Sequence, residues 1–465
     1  MIDEELLRRI VKQVIQENVD KQSRSKGCHG VFDCIKEAIC ASEDAYAQYL
    51  RHSMSDRESY VRTIKKTVTE PDVLKTMSLM AVEETGMGNY AHKLIKNKIA
   101  AEKTPGIEDL MTEAESGDHG LTLTEYCPFG VIGAITPATN PSETIICNSI
   151  GMLAGGNSVV FSPHPKARKL SAWLVELLNK SLMAQGAPEN LIATVREPSI
   201  ESTNDMMEHP KVSMLVATGG PAIVRRVMSS GKRAIGAGAG NPPVVVDETA
   251  NLKKAAISII EGCSFDNNLP CIAEKEVVAV DSIADELISH MAANNALVLK
   301  NPSWIKALWD LVSNGQGGPC TDYVGKSAAF ILQNIGLPAP DNVKVIAFET
   351  DGDNPFVREE MMMPILPIVR AKDTDTAIEM ARVFENGNRH TSIMHSTNVE
   401  KLTYMAKHLQ TTIFVKNAPS YAGIGVGGEG CTTFTIAGPT GEGITTARSF
   451  CRKRRCVMSD ALHIR

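Results

Sequence analysis

Apolar side chains recur one helical turn apart at Leu6, Ile10 and Val14, and again at Leu7, Val11 and Ile15, so residues 1–18 read as one amphipathic helix with Asp3 as its N-cap candidate. Residues 19–30 are polar and glycine-containing without periodicity, which predicts a flexible linker. A helix on such a tether suits docking on another protein's surface; folding back onto the body of the chain is the alternative. From 31 to about 112 the pattern is helical, with breakers at Pro71, Gly86, Gly88 and Pro105. Between 128 and 247 short β-rich runs (GVIGAIT, SVVFS, LIATV, VSMLVAT and PVVVD) alternate with helical stretches, the rhythm of a parallel sheet with helices on its faces. A second α/β set runs from 248 to 430, with strands EVVAV, KVIAF, ILPIV and TIFVK. Residues 431–465 read as loops and strands that return to the first domain or reach a neighbouring subunit. The fold class is therefore α/β, and 465 residues suggest two domains with small appendages.

Composition removes several classes of function. With 43% hydrophobic and 22% charged residues the chain is ordinary for a globular protein, and no run of about 18 uncharged apolar residues is present to span a bilayer. A net charge of −6 lacks the basic surplus of a nucleic-acid binder; CRKRRC at 451–456 reads as a solvated segment, with a polyanion site as the alternative. In the leader, Arg8, Arg9 and Lys12 are balanced by Asp3, Glu4, Glu5 and Glu17, which disfavours a membrane surface as its target. Eleven cysteines, an odd number in a long chain without a secretory signal, point to a reducing compartment. No C-x-x-C pair occurs, so neither structural zinc nor an iron–sulfur cluster is expected, and most thiols should be buried small hydrophobes.

Three glycine clusters invite a phosphate-binding reading, which requires a strand before and a helix after. GAGAG at 236–240 and GIGVGGEG at 423–430 lead into non-helical sequence and read as tight turns. LVATGG runs straight into PAIVRRVMSSG, so Thr218, Gly219 and Gly220 close a strand and Pro221 opens a helix whose free N–H groups suit a pyrophosphate or ribose. SVVFSPHPKA offers a second such end, with Ser162 and His164 at the rim, and Thr136 and Pro137 close the GVIGAIT strand beside it. Among the cysteines, Cys271 stands in FDNNLPCIAEKEVVAV, where Asn267, Asn268 and Pro270 hold an irregular polar segment ahead of a strand. A loop cysteine can be presented to a substrate as a nucleophile; a buried thiol is the alternative.

In order and roughly in spacing, ITPATNPSET, ATGG, NPPVVVD, FDNNLPC and REEMMMPILPIV resemble the landmarks of the aldehyde dehydrogenase superfamily. FDNNLPCIAEKE, GNRHTSIMHS and SYAGIGVGGEG are similar to the CoA-acylating propionaldehyde dehydrogenases of bacterial microcompartments, and the likeness covers nearly everything after residue 30. The resemblance implies an aldehyde dehydrogenase fold: a Rossmann-like nucleotide-binding domain over 31–247 with part of an oligomerisation element, an α/β catalytic domain over 248–430, and an oligomerisation or return segment over 431–465. It implies that Cys271 is the nucleophile, that Asn140 supplies the side-chain amide of an oxyanion hole with the Cys271 N–H, and that Glu360 holds the nicotinamide-side ribose. Hydrolytic relatives carry a water-activating glutamate at the position that here is Gly236, counted from Asn241-Pro242. Its absence favours a thioester that survives until coenzyme A collects it; a packing change at Gly236 with the base supplied elsewhere is the alternative.

NAD is the expected cofactor, because Ser162 stands where many relatives carry a lysine; Lys166 and Arg168 keep NADP possible. His390, and with it His395, is expected to edge the substrate or CoA pocket. The leader resembles short encapsulation helices, which implies docking of residues 1–18 on a microcompartment shell protein and a place in the lumen of that body in a bacterial cytoplasm. A homo-oligomer, dimer or tetramer, is expected. The reaction implied is oxidation of a short-chain aldehyde, propionaldehyde first and acetaldehyde next, to its acyl-CoA. A hydrolytic dehydrogenase giving free acid is the rival, and a catalytically silent shell-binding relative is the remote one.

Overall fold

A strand covered by helices on both faces has to be apolar throughout, and VIGAIT meets that requirement: all six residues of Val131–Thr136 are buried. The computed structural model describes residues 29–340 and 342–464. The leader 1–18 and the linker up to residue 28 lie outside the described residues. Val131–Thr136 is an inner strand of a six-stranded sheet that runs Val31–Phe32, Ile192–Val195, Ser158–Pro163, Val131–Thr136, Val212–Thr218, Arg233–Ala237, with every pair parallel. The chain leaves Val131–Thr136 for Ser158–Pro163 on one side and returns to Val212–Thr218 on the other. The strand order reverses there, which opens a crevice at the strands' carboxyl ends.

The second sheet has seven parallel strands in the order Ala296–Leu299, Val345–Glu349, Ile365–Ala371, Glu276–Val280, Pro243–Val246, Thr391–His395, Ile413–Lys416. PVVVD, expected to close the first sheet, belongs to this one. Val244 and Val245 pair with Val277 and Val278 on one side and with Ile393 and Met394 on the other, so the strand is buried between partners supplied by later sequence. The sheets part between Ala237 and Pro243 rather than after Asp247. RAIGA, not among the strands expected from sequence, is the edge strand Arg233–Ala237.

Four helices, Ile35–Tyr49, Met54–Thr69, Pro71–Thr85 and Tyr90–Lys103, precede the first sheet's inner strands. Pro71 begins a helix instead of breaking one: it sits in the first turn, where no backbone N–H is needed. Helix Pro141–Ala154 is buried at every position; most of its side chains are apolar or small, and its one charged residue, Glu143, is paired with Lys93 and Lys96. Phe450 packs on it at Gly151, where an added β-carbon would lie 2.9 Å from the Phe450 ring, and Asn157 Nδ2 donates to the Phe450 carbonyl at 3.0 Å. From that anchor the chain returns along Cys451–Ser459, antiparallel to Gly120–Pro128, with Glu113–Gly117 on the far side. Arg452, Lys453, Arg454 and Arg455 are exposed on this edge strand.

The passage from one sheet to the other is held by Asn241, whose Nδ2 donates to the carbonyls of Val357 at 3.0 Å and Phe384 at 2.9 Å, all three residues being buried. Replacing Asn241 with Ala strands two buried acceptors and should cost on the order of 2–4 kcal/mol. The expected result is a lowered thermal midpoint. An unchanged midpoint by calorimetry would show that other contacts hold this junction.

Candidate active site

At the carboxyl ends of Val131–Thr136, Ser158–Pro163 and Val212–Thr218 lies a cavity of about 440 Å³. Its wall includes Thr136, Pro137, Ser162, His164, Thr218, Gly219 and Gly220, seven of the nine residues assigned to the cofactor from sequence. Met362 and Val324 from the second half close it from the other side. The wall fits a dinucleotide on two counts. Thr136 is buried with an unpartnered Oγ1. Gly220 precedes helix Pro221–Met228 with no atom within 4 Å of where a β-carbon would stand, which leaves the helix N-terminus open to phosphate. Ser162 Oγ is hydrogen-bonded to Thr203 Oγ1 at 2.8 Å, so the sequence reading missed Thr203, Asn204 and Ile200 as part of the rim. The Ser199 capping box that starts helix Ile200–Glu208 was the available signal.

Glu360 does not line this cavity, and neither does Gly236, the other residue assigned to the cofactor from sequence. Gly236 is packed on strand Arg233–Ala237, where an added β-carbon would stand 2.7 Å from Val224 Cγ1, and its N–H donates to Thr440 Oγ1 at 3.1 Å.

The segment ahead of Cys271 takes a left-handed backbone at three successive residues, Asp266, Asn267 and Asn268, with φ of 51°, 55° and 66°. Asp and Asn tolerate that region better than other side chains because their short polar groups bond locally. Here each is also tied to another part of the chain. Asp266 Oδ1 accepts from the Asn89 N–H at 2.8 Å, and the Asp266 N–H donates to His92 Nδ1 at 2.9 Å. Asn267 Nδ2 donates to the Gly325 carbonyl at 2.9 Å, and Asn268 Nδ2 to the carbonyls of Cys263 at 2.9 Å and Glu274 at 3.0 Å. Cys271 emerges partly buried. A β-carbon on Gly240 would lie 2.5 Å from its carbonyl oxygen and 2.9 Å from His390 Cγ, so only glycine allows the two segments to approach.

Burial, and next the carboxylate of Glu360, push the Cys271 thiol up to about 12, while Lys275 pulls it down. Lys275 is buried, donates to Asn268 Oδ1 at 2.5 Å, and lies 4.0 Å from Glu360 Oε1. Glu360 is itself raised by burial and lowered by Lys275 and by the Gly240 N–H. His390 is buried, accepts or donates at Nδ1 with Thr391 Oγ1 at 2.9 Å, and has no partner at Nε2. Burial and Lys275 hold its imidazole down at about 4, so it is neutral at pH 7. His395, at the opposite end of the same strand, is lowered by burial and by Lys254 and stands apart from this group. That is about 16 Å of strand, so the expectation that His395 edges the pocket fails.

Asn140 is the N-cap residue of helix Pro141–Ala154 and is buried. Its Oδ1 accepts from Lys96 Nζ at 2.5 Å and its Nδ2 donates to Thr139 Oγ1 at 3.2 Å. Sequence reasoning missed both Lys96 and Lys275. KLIKNK reads as the charged face of a surface helix, and only the i, i+3 spacing of Lys93 and Lys96 on the buried side could have signalled otherwise.

The aldehyde dehydrogenase family model matches residues 26–307. A propanal dehydrogenase (CoA-propanoylating) of Salmonella typhimurium is 46% identical over 463 residues, 99% of each chain. The propionaldehyde dehydrogenase of Rhodopseudomonas palustris, solved with bound CoA and an acylated cysteine, superposes with a TM-score of 0.93 at 63% identity, covering 94% of this chain and 100% of that one. An engineered glycolyl-CoA reductase with bound NADP+ gives 0.93 at 62%, covering 95% and 100%. A propionaldehyde dehydrogenase from the Clostridium phytofermentans fucose-utilisation microcompartment gives 0.91 at 53%, covering 94% and 100%. The chain belongs to the aldehyde dehydrogenase family.

Because Glu360 raises and Lys275 lowers the Cys271 thiol, alkylation by iodoacetamide should report both. In the ligand-free protein the reaction at position 271 should be slow at pH 7 and climb with pH. Glu360→Gln should shift that climb to lower pH and Lys275→Met to higher pH, read by mass spectrometry of the Cys271 peptide because Cys34, Cys431 and Cys456 are exposed and react independently. Superimposable pH–rate curves for the three proteins would remove this electrostatic account.

Proposed function

We propose that this chain oxidises a short-chain aldehyde, propionaldehyde first, with a nicotinamide dinucleotide and transfers the acyl group to coenzyme A. Cys271 Sγ adds to the carbonyl carbon: a C–S bond forms, the carbonyl π pair moves onto oxygen, and the thiol proton departs. The developing alkoxide is met by Asn140 Nδ2 and the Cys271 N–H, donors already oriented before substrate arrives. When the carbonyl re-forms, hydrogen leaves the carbon with its electron pair and a thioester remains on sulfur. The nicotinamide ring, when bound in the crevice, accepts that hydride. The CoA thiolate then attacks the thioester, and its C–S bond replaces the one to Cys271.

The observation that carries transfer to a thiol over hydrolysis is Gly236. The position that would bear a water-activating carboxylate has no side chain, and Val224 occupies the adjoining space. The CoA and acylated cysteine of the R. palustris relative support the same reading. Glu360 is assigned to the nicotinamide-side ribose, and His390, neutral with a free Nε2, to the border of the acyl-transfer pocket. NAD is the assigned cofactor, since the hydroxyl of Ser162 is engaged by Thr203. Lys166 on the cavity wall leaves room for NADP; Arg168 is paired with Glu197 at 3.2 Å.

Residues 1–18 are assigned to docking on a microcompartment shell protein, and the enzyme with them to the lumen of that body in a bacterial cytoplasm; the C. phytofermentans relative supports this reading. Strand Cys451–Ser459 closes its three-stranded sheet on one side and leaves an exposed edge, the surface assigned to homo-oligomer formation. Among the described residues no helix is long and apolar enough to cross a membrane.

Incubation with propionaldehyde and NAD, CoA withheld, should place a propionyl group on Cys271, detectable by intact mass and discharged as propionyl-CoA when CoA is added. Free acid released at the full rate without CoA would overturn the assignment. Asn140→Ala should slow turnover on the order of a hundredfold or more, the usual cost of one oxyanion donor. Deleting residues 1–18 should leave activity in solution unchanged and abolish co-purification with shells; a truncated enzyme still found in the shell fraction would refute the address.

A further inference from the structure

Lys93, Lys96, Glu143 and Asp266 form a charge-balanced cluster, all fully or almost fully buried. Four charges removed from water are costly, and apolar side chains of similar volume are often as stable or more so, so stability alone does not account for the arrangement. What distinguishes the cluster is where Lys96 points. Its ammonium donates to Asn140 Oδ1 at 2.5 Å and Asp266 Oδ2 at 2.6 Å, and forms an ion pair with Glu143 Oε1 at 3.0 Å. Lys93 complements it, donating to the Thr139 carbonyl at 2.7 Å and lying 3.0 Å from Asp266 Oδ2.

We propose that Lys96 is a positioning residue for the thiohemiacetal step: it fixes the orientation of the Asn140 amide and joins it to the loop that carries Cys271. This rests on the assignment of Asn140 as an oxyanion donor. An ammonium only donates, so it admits the oxygen end of the amide and rejects the nitrogen end. The Asn140 side chain is thereby held with Nδ2 turned away from Lys96. Of the two Nδ2 protons one goes to Thr139 Oγ1, and the other is left for substrate oxygen. An ammonium on Oδ1 also draws electron density from the amide and strengthens Nδ2 as a donor. Through Asp266 the same ammonium grips the first of the three left-handed residues that lead to Cys271, whose N–H is the second donor. The two halves of the oxyanion site, from separate stretches of chain, are thus registered by one nitrogen.

The test compares turnover of the full-length enzyme in wild type, Asn140→Ala, the pair Lys96→Met with Glu143→Gln, and the three changes together. The pair removes one cation and one anion, so Lys93 and Asp266 remain as a balanced couple. Lys96→Met alone is a companion variant. For the pair, kcat should fall ten- to a hundredfold with the KM for NAD unchanged, and adding Asn140→Ala should bring less than a threefold further loss relative to Asn140→Ala alone, because both changes remove one donor. A pair with wild-type kcat overturns the proposal. So does a loss that multiplies in full with that of Asn140→Ala, or one accompanied by a proportionate rise in the KM for NAD, either of which indicates a merely structural role. If Asn140→Ala itself turns over at the wild-type rate, the assignment of Asn140 fails instead, and that result is read independently of the pair.

Discussion

The conformation at Asp266, Asn267 and Asn268 is one that Asp and Asn tolerate but that local interactions alone do not hold. Left-handed backbone costs a non-glycine residue on the order of 1 kcal/mol or more, and three in succession persist only where surrounding structure dictates them. That structure comes from distant parts of the chain: Asn89, His92 and Lys96 from one helix and its cap, Gly325 from a loop, and Cys263, Glu274 and Lys275 from either side of the segment itself. Cys271 is delivered to its place only if all of these are assembled. The nucleophile is therefore a property of the folded protein, and its strained approach is the expected signature of a pre-organised site.

The same assembly explains why the cleft lies where it does. Thr136, Ser162 and Thr218 stand where strands of the first sheet end, whereas Gly240, Cys271, Glu360 and His390 stand where strands of the second sheet begin. One sheet presents its carboxyl edge, rich in free N–H groups and suited to phosphate. The other presents side chains on the loops that enter its strands. The cavity wall at the first edge also takes in Val324 and Met362, from the half of the chain that builds the second sheet. Electrostatics follows the geometry. Glu360 and Lys275, 4.0 Å apart, act on Cys271 with opposite sign, so the thiol's readiness to ionise depends on how that pair is engaged.

Strands buried on both faces announce themselves in sequence, and Val131–Thr136, Ser158–Pro163, Val212–Thr218 and Glu276–Val280 were readable for that reason. What a run of apolar residues does not carry is the identity of its partners. PVVVD follows the first sheet in the chain but pairs with residues 276–279 and 393–395, and nothing local distinguishes the two destinations. Within the site, Cys271, Asn140 and the Thr218–Gly220 turn sit in segments whose glycine, proline and asparagine content marks a break in periodicity. Lys96 and Lys275 do not. A lysine on an amphipathic helix has the same appearance whether it faces water or a buried carboxylate, and the difference is settled by Asp266 and Glu143, which lie far along the chain.

Gly236 acquires its meaning from its neighbours. A missing carboxylate is weak evidence while the space it would fill is open, because a relative could regain it by one substitution. Here the space adjoins Val224, with Thr440 Cγ2 3.6 Å from where a β-carbon would stand, and the backbone N–H is engaged by Thr440 Oγ1. The position has been built over with packing. An acyl group on Cys271 therefore faces a pocket in which Glu360 is held between Lys275 and the Gly240 N–H, and His390 is neutral. On the proposed reading water there meets no carboxylate from position 236, while a thiol entering from solution is already partly ionised near neutral pH and is the better nucleophile. On that reading the choice between acid and thioester as product follows from what the site declines to activate, and the packed glycine is the position that carries it.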